Sequence, residues 1–330
     1  MDGDVFIDEK RDPIDVVYTW VDGSDPEHLK LRQIFGDPLD WTHSDPSRFR
    51  DNGELRYSIR SVLQNMAWIR NIIIVTNGTK PSYIDDSHAR IRFVDHAAVY
   101  GSLGDLPTFN SMSIECHLHK IDGLSENFIY FNDDLFVGRS LCLSDFSGPS
   151  GNGRFIFENR LLNQGEVIEN DLIAYYLAST DMALNRIYGK QIRYGLSHVA
   201  NLFVKSRCRE VSAIWRRELS QTSSHRVRNK SDVIFAILYA YHFIYEKFPR
   251  TNISDVISLD TAYAKLADED TCVCIPFGDK ELDFRNEMTK AVTRLPKFLS
   301  LQDHARQDDL QRELYSYMLK LYPHGSEIEK

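Results

Sequence analysis

Asn132-Asp133-Asp134 follows directly on the apolar run Phe128-Ile-Tyr-Phe131. Adjacent carboxylates repel one another, and a cation between them relieves that repulsion. Mg2+ or Mn2+ suits such a place, taking one or two protein carboxylates together with substrate phosphate oxygens. The same triplet also suits a turn or a helix cap, so spacing alone leaves both readings open. A second cluster runs from Arg48 to Arg60, with four arginines and two acids in thirteen residues. Arg56 and Arg60 stand i, i+4 on one helical face, where two guanidinium forks can clamp phosphate oxygens. A helix starting near Asn52 would add backbone N–H groups for an anion. The competing reading is a solvated charged face held by internal ion pairs. Glu115, His117 and His119 share a segment of helical period and are expected in surface or capping roles. His198 and the run His225-Arg-Val-Arg228 are single signals, and a lone histidine is usually structural.

These groups need a frame. Ile14 to Val21 is rich in β-formers and ends at Asp22-Gly23-Ser24-Asp25-Pro26, a strand entering a turn. Residues 27–50 read as a helix followed by a long loop. Leu55, Ile59, Val62 and Leu63 give Asn52 to Met66 a helical period, with Asp51 or Asn52 as N-cap. Ile69 to Val75 is a buried strand closed by Thr76-Asn77-Gly78, and Ile91 to Val94 is another. A helix over Ser111 to Ile121 leads, after Gly123, to the strand Phe128 to Phe131. This alternation predicts an α/β fold with a mostly parallel, Rossmann-like sheet through about residue 150. Three of its strands end in polar groups, at Asp22, Asn77 and Asn132 to Asp134, where such sheets bind ligands. Ser147 to Gly153 reads as a linker. Residues 151–330 then form a mixed, largely helical region, with helices over 169–187 and 231–248 and an amphipathic C-terminal helix over 298–322.

Composition narrows the partners. The 330 residues carry 42% hydrophobic and 26% charged side chains, ordinary for a globular protein. A formal charge of −9 argues against a nucleic-acid backbone as partner. Five cysteines show no metal-type spacing, and Cys272 and Cys274 are expected as core thiols on one strand face. Met1 to Asp12 is acidic without an apolar core, and no stretch is apolar enough to span a bilayer. The expectation is a reduced, soluble, cytoplasmic protein.

The motifs also resemble a known family. Ile14-Asp-Val-Val-Tyr-Thr-Trp-Val-Asp-Gly-Ser-Asp-Pro26 is similar to the first conserved block of the Stealth proteins. Those are bacterial capsular polysaccharide phosphotransferases and their animal relative, the N-acetylglucosamine-1-phosphotransferase. Arg50-Asp-Asn-Gly-Glu-Leu-Arg-Tyr-Ser58, Trp68 to Ile72, Val75 to Gly78, Leu106 to Phe109 and Phe128 to Asp134 resemble the second block. Ser197-His-Val199 and His225-Arg-Val-Arg228, followed by Asp232, resemble the third. Cys272 to Ile275 fits a strand of the fourth, where Pro276-Phe-Gly-Asp279 departs from the family pattern.

The resemblance implies a GT-A-like core and transfer of a hexose-1-phosphate or hexosamine-1-phosphate from a UDP-sugar to a sugar hydroxyl. The uridine monophosphate would leave, and the product would be a phosphodiester in a capsular or cell-surface polysaccharide. It implies Mg2+ (or Mn2+) on Asp133 and Asp134, with Asn132 orienting. Trp20, Asp22, Gly23, Asn52 and Asn77 would hold the donor, and Arg56, Arg60 and Arg228 its phosphates. His198 would act as general base, with Asp51 as runner-up. Partners would be a UDP-hexosamine, a saccharide acceptor and membrane-associated capsule assembly enzymes at the inner face of a bacterial membrane. The alternatives are a metal-dependent glycosyltransferase releasing uridine diphosphate and a non-catalytic carbohydrate-binding subunit.

Overall fold

A computed structural model describes residues 12–35, 50–148, 153–163, 165, 171–259, 262–277, 281–303 and 311–330. Its strands are β1 (Ile14–Thr19), β2 (Ile72–Thr76), β3 (Ile91–Asp95), β4 (Asn127–Asn132), β5 (Leu135–Val137) and β6 (Phe155–Leu161). They continue with β7 (Tyr194–Leu196), β8 (Asn201–Val204), β9 (Ala264–Leu266), β10 (Cys272–Phe277) and β11 (Phe298–Asp303). The helices are α1 (Pro26–Phe35), α2 (Glu54–Asn65), α3 (His96–Val99), α4 (Ser111–Glu115) and α5 (Leu172–Tyr188). After them come α6 (Lys205–Ile214), α7 (Arg216–Ser224), α8 (Phe235–Lys247), α9 (Ile253–Ser258), α10 (Glu281–Arg294) and α11 (Gln311–Leu321).

The central sheet has the order β3-β2-β1-β4-β8. Its first four strands are parallel and β8 runs antiparallel to β4. This is the α/β, Rossmann-like sheet the alternation predicts, with an antiparallel edge strand supplied from beyond residue 150. β1 is covered on both faces: Val16, Val17 and Tyr18 are all at 0% exposure. A strand buried this way reads as a continuous apolar run instead of an alternating one. Each such side chain contributes about 1.5–3 kcal/mol of burial. Register then sets function. Thr19 pairs with Val75 on one side and Asn132 on the other, so β1, β2 and β4 end level with one another. Because β8 is antiparallel, its start lies beside the end of β4, with Tyr130 opposite Asn201. That brings the preceding Ser197-His198 segment to the same edge.

Two small sheets, β10-β11-β5 and β7-β6-β9, flank the central one. Here the structure corrects three expectations. Residues 298–303 are strand β11, not the start of the C-terminal helix, because they pair with both β10 and β5. The helix itself, α11, packs Leu314 and Met318 among Tyr57, Phe136, Phe284 and Met288. The stretch after Glu115 does not continue as one helix but passes into a 3-10 turn, Leu118–Lys120. Cys272 and Cys274 are not core thiols: β10 is an edge strand, which leaves Cys272 half-buried and Cys274 exposed. Among the described residues, no helix is long and apolar enough to cross a membrane.

Candidate active site

The level strand ends collect carboxylates. Asp133 and Asp134 follow β4, and Asp51 and Glu54 enter from the start of α2. Gly53, the residue before that helix, has φ 78°, and a Cβ there would meet the Tyr315 hydroxyl at 3.2 Å. The positive φ would strain any other side chain, so glycine lets the acid-bearing turn form. Asp51 accepts from the Gly53 amide at 2.7 Å and from the Trp20 indole N–H at 3.2 Å. Glu54 accepts from the Asn52 backbone N–H at 2.6 Å and its side-chain amide at 2.7 Å. Burial pushes the Glu54 carboxyl up to about 7 despite these bonds. Asp133 is raised well above the carboxylate range, first by burial and then by the charges of Asp134, Glu54 and Asp51. The cluster holds more negative charge than it can stably ionise without a cation.

Opposite the acids stands His198. Its Nε2 lies 3.1 and 3.2 Å from the two oxygens of Asp134. Burial alone would lower its pKa, but Asp134, Glu115 and Glu158 together raise it. Asp134 is further tied by its carbonyl, which accepts from Leu301 N at 3.0 Å.

Glu115 ends α4, expected at the surface and found at the site. It accepts from the Tyr130 hydroxyl at 3.2 Å, and burial raises it to about 7 against the pull of Arg228 and His198. Tyr130 also bonds Thr19 at 3.0 Å and receives the Asn132 amide at 3.2 Å, so β1, β4 and α4 share one polar network. Glu158 on β6 joins from the far side. Its Oε1 lies 2.7 Å from where a Cβ on Gly195 would stand, so a larger residue there would displace it. Glu54 stood among the sequence's charged run. Glu115 reads in the sequence only as a surface or capping acid and Glu158 carries no signal there, because tertiary burial makes them what they are.

Arg228 comes to the same place through its loop. The Asp232 carboxylate accepts from His225 at 2.6 Å, from the Asn110 amide at 2.8 Å and from the Asn229 backbone at 2.9 Å. Phe109 N donates to Arg226 O at 2.6 Å, which zips the loop to the start of α4. Arg228 then donates to Ser111 Oγ at 2.9 Å. The structure thus assembles Asp133, Asp134, Asn132, His198, Arg228, Asp51 and Trp20 at one strand-end edge.

Other expected groups are held by internal bonds. Arg60 is corrected as a phosphate clamp, because Glu329 occupies its fork, and Arg56 is tied to the same carboxylate through Nε. Arg56 Nε meets it at 2.5 Å, and Arg60 Nε and Nη2 meet it at 2.6 and 2.7 Å. Asn52 is 3% exposed, so its amide is a brace for Glu54 and presents no edge to a donor. Asn77 bonds His28 on α1 at 3.2 Å and accepts from Thr79 Oγ1 at 2.7 Å. Asp22 accepts from Ser24 N and Oγ, shaping the turn that includes the buried Gly23. His117 and His119 are interior, not surface, residues. Burial pushes them down to about 3 and about 4, and His117 bonds Ser223 at 2.8 Å.

A strand-end basin of half-buried acids, one histidine and one arginine is a candidate ligand site on an α/β sheet, of the kind suited to a charged substrate. Three conserved regions place it more closely. Residues 12–37 match Stealth protein CR1, conserved region 1; residues 48–155 match CR2, and residues 197–245 match CR3. The chain belongs to the Stealth family. It is 33% identical over 251 residues to the capsular polysaccharide phosphotransferase cps1A of Actinobacillus pleuropneumoniae, covering 73% of this chain and 68% of that one. It is 34% identical to an exopolysaccharide phosphotransferase of Streptomyces coelicolor, covering 72% of this chain and 41% of that protein. The chain spans about two fifths of the length of three Streptomyces relatives it matches and a quarter of a fourth. Among solved structures, the galactosyltransferase LgtC with donor and acceptor sugar analogues aligns over 94% of this chain and 96% of its own. That alignment has 11% identity and a TM-score of 0.39, too low to bear on function.

Proposed function

We propose that this protein transfers a sugar-1-phosphate from a nucleotide sugar to the hydroxyl of a saccharide acceptor, building phosphodiester links in a capsular or exopolysaccharide. The observation that carries the reading is the approach of His198 to Asp134 beside Glu115 and Arg228. The names of the phosphotransferase relatives favour the same chemistry. The donor is a UDP-hexosamine, and the reaction takes place at the cytoplasmic face of the membrane with other assembly enzymes.

His198 Nε2 carries the proton that faces the Asp134 oxygens, and Nδ1 is the ring nitrogen that receives the acceptor hydroxyl proton. The acceptor oxygen forms a bond to the phosphorus bearing the sugar. The bond from that phosphorus to the bridging oxygen breaks, and uridine monophosphate leaves with the electron pair. The sugar C1–O bond stays intact, so its anomeric configuration is kept. Arg228 offsets charge on the transferring phosphoryl group, and Glu115 sets the field in which Arg228 and His198 stand. Asp22 and Asn77, in the turns that follow β1 and β2, would meet the donor, with Trp20 and Gly23 buried in the first of these segments and Asp51 fixing the Trp20 indole.

The acidic basin suits Mg2+ or Mn2+. Its donors are oxygens, and the raised proton affinity of Asp133 marks a carboxylate in need of a positive partner. Asp133 and Asp134 would hold the ion, with Asn132 beside them. When bound, it would neutralise the donor's pyrophosphate.

The test is to incubate the protein with Mg2+, uridine diphosphate sugars and capsule-type oligosaccharides, and to identify the released nucleotide. Uridine monophosphate, lost on chelation, supports the proposal. Uridine diphosphate would replace it with a conventional glycosyltransferase, and donor binding without turnover would make the chain a carbohydrate-binding subunit.

A further inference from the structure

Glu210 on α6 and His242 and Glu246 on α8 form a second cluster, and none of the three belongs to the acidic basin. Each offers one ligand atom, and the three atoms lie within 4.8 Å of one another. His242 and Glu246 stand i, i+4 on one helical face, and Glu210 faces them from the neighbouring helix. His242 Nε2 lies 3.2 Å from Glu210 Oε1 and 3.7 Å from Glu246 Oε1.

The histidine points to a ligand. Its side chain is only 7% exposed, yet Nε2 has no aligned hydrogen-bond partner, although two carboxylates stand close by. A buried ring nitrogen aimed between two acids without a directed bond to either is the geometry of a ligand set. The opposite nitrogen is held: Nδ1 lies 2.6 Å from the Tyr188 hydroxyl on α5. Metal-bound histidines are commonly fixed this way, with the other ring N–H given to an oxygen so that tautomer and orientation are set.

Arg207 supplies the rest of the shell. Its Nη1 donates to Glu210 Oε2 at 2.7 Å and its Nη2 to Glu246 Oε2 at 3.2 Å. Nη1 also reaches Glu246 Oε1 at 3.1 Å, an oxygen it would share with an ion. Glu210 therefore gives one oxygen to the guanidinium and turns the other toward His242, while Glu246 holds Arg207 with both oxygens and keeps Oε1 3.7 Å from His242 Nε2. Two carboxylates against one arginine leave a formal charge of −1, which favours a cation.

We propose that Glu210 Oε1, His242 Nε2 and Glu246 Oε1 bind a zinc-class divalent ion that fastens α6 to α8 and, through Tyr188, to α5. One imidazole and two carboxylates suit Zn2+ better than Mg2+ or Ca2+, and three protein ligands leave the fourth tetrahedral position to water. The proposal is independent of the transfer reaction, because it rests on residues outside the strand-end basin.

The test is calorimetric titration of the chelator-stripped full chain with Zn2+ in excess Mg2+, with melting temperatures recorded with and without Zn2+. Wild type is expected to show a Zn2+ site and to melt higher with the ion. Glu210→Gln/Glu246→Gln should lose that site and the Zn2+-dependent rise. Tyr188→Phe should bind about ten-fold more weakly, the loss expected when the group orienting a ligating histidine is removed. If the double variant does not fold, Glu246→Gln alone, on a one-third-exposed side chain, should still weaken binding about ten-fold or more. Zn2+ binding of equal stoichiometry and affinity in wild type and these variants overturns the proposal.

Discussion

His198 Nε2 rests 3.1 Å from Asp134 Oδ1 across 64 residues of chain, because antiparallel β8 begins where β4 ends. The contact is made by two partly exposed side chains, 38% and 30%, so the fold does not depend on it. His198→Gln and Asp134→Asn should each lower nucleotide release by about 10²–10⁴-fold, the range for a positioned acid–base group. Thermal melting of both variants should match wild type. A variant that keeps wild-type turnover removes its residue from the mechanism.

Glu115 makes a prediction with a sign. Burial raises its carboxyl to about 7, so folding favours the protonated form. Its contribution to stability is therefore intact below the ordinary glutamate range, near pH 4.5, and is lost as pH rises through 7. Glu115→Gln mimics the protonated state. It should melt above wild type at pH 8, by about 1–3 kcal/mol in stability, and converge with wild type toward pH 4. In the transfer assay the same variant should flatten the part of the wild-type rate profile that bends near pH 7. Equal stability of the two proteins at pH 8 would count against a buried, strained carboxylate.

Arg228 is delivered by a loop that Asp232 knits together, and its donation to Ser111 Oγ ends at the edge of the basin. Arg228→Ala should cost about 10²–10³-fold in rate, as for removal of one donor that meets developing charge. Arg228→Lys should recover only part of this, since a point charge replaces a planar fork. The melting temperature distinguishes a lost donor from a lost loop: it should hold for Arg228→Ala and fall for Asp232→Ala.

Much of the frame was legible from local signals. β2 is an apolar run up to Thr76, β1 is interrupted only by Asp15 before its Val16-Val17-Tyr18 core, and α2 carries a clear helical stripe whose Leu55, Ile59 and Val62 are buried as that stripe requires. The acidic triplet could be placed at a strand end because Phe128 to Phe131 announces its strand. What stayed hidden depends on distant partners. Glu115 looks like any helix-terminal acid until Tyr130 and the sheet enclose it. Phe298 to Leu301 is a strand because β10 and β5 flank it, while its apolar spacing merges with that of α11. Arg56 and Arg60 share a face as their spacing dictates, but their partner lies 269 residues beyond Arg60.

That partner, Glu329, yields the last prediction. Its side chain is 7% exposed and accepts from both guanidinium groups, while the Ser326 amide and hydroxyl donate to Oε1 at 2.7 and 2.9 Å. Burial would raise its pKa, but these donors outweigh it and hold the carboxyl down at about 2. A depressed carboxylate contributes stability above its unfolded value, near 4.5, and loses that contribution as pH falls toward 2. The tail it anchors also covers Ile84 and pairs with Tyr83 and Asp85, so the pair fastens the chain end to α2 and the loop after β2. Glu329→Gln should therefore lose about 2–3 kcal/mol at pH 7, the cost of leaving partly buried arginines without their charge partner. The gap from wild type should narrow steadily between pH 4.5 and 2 in denaturant titrations. A gap that is constant across that range would mean that the tail is held by its backbone pairing and the apolar burial of Ile328, with the ion pair contributing nothing.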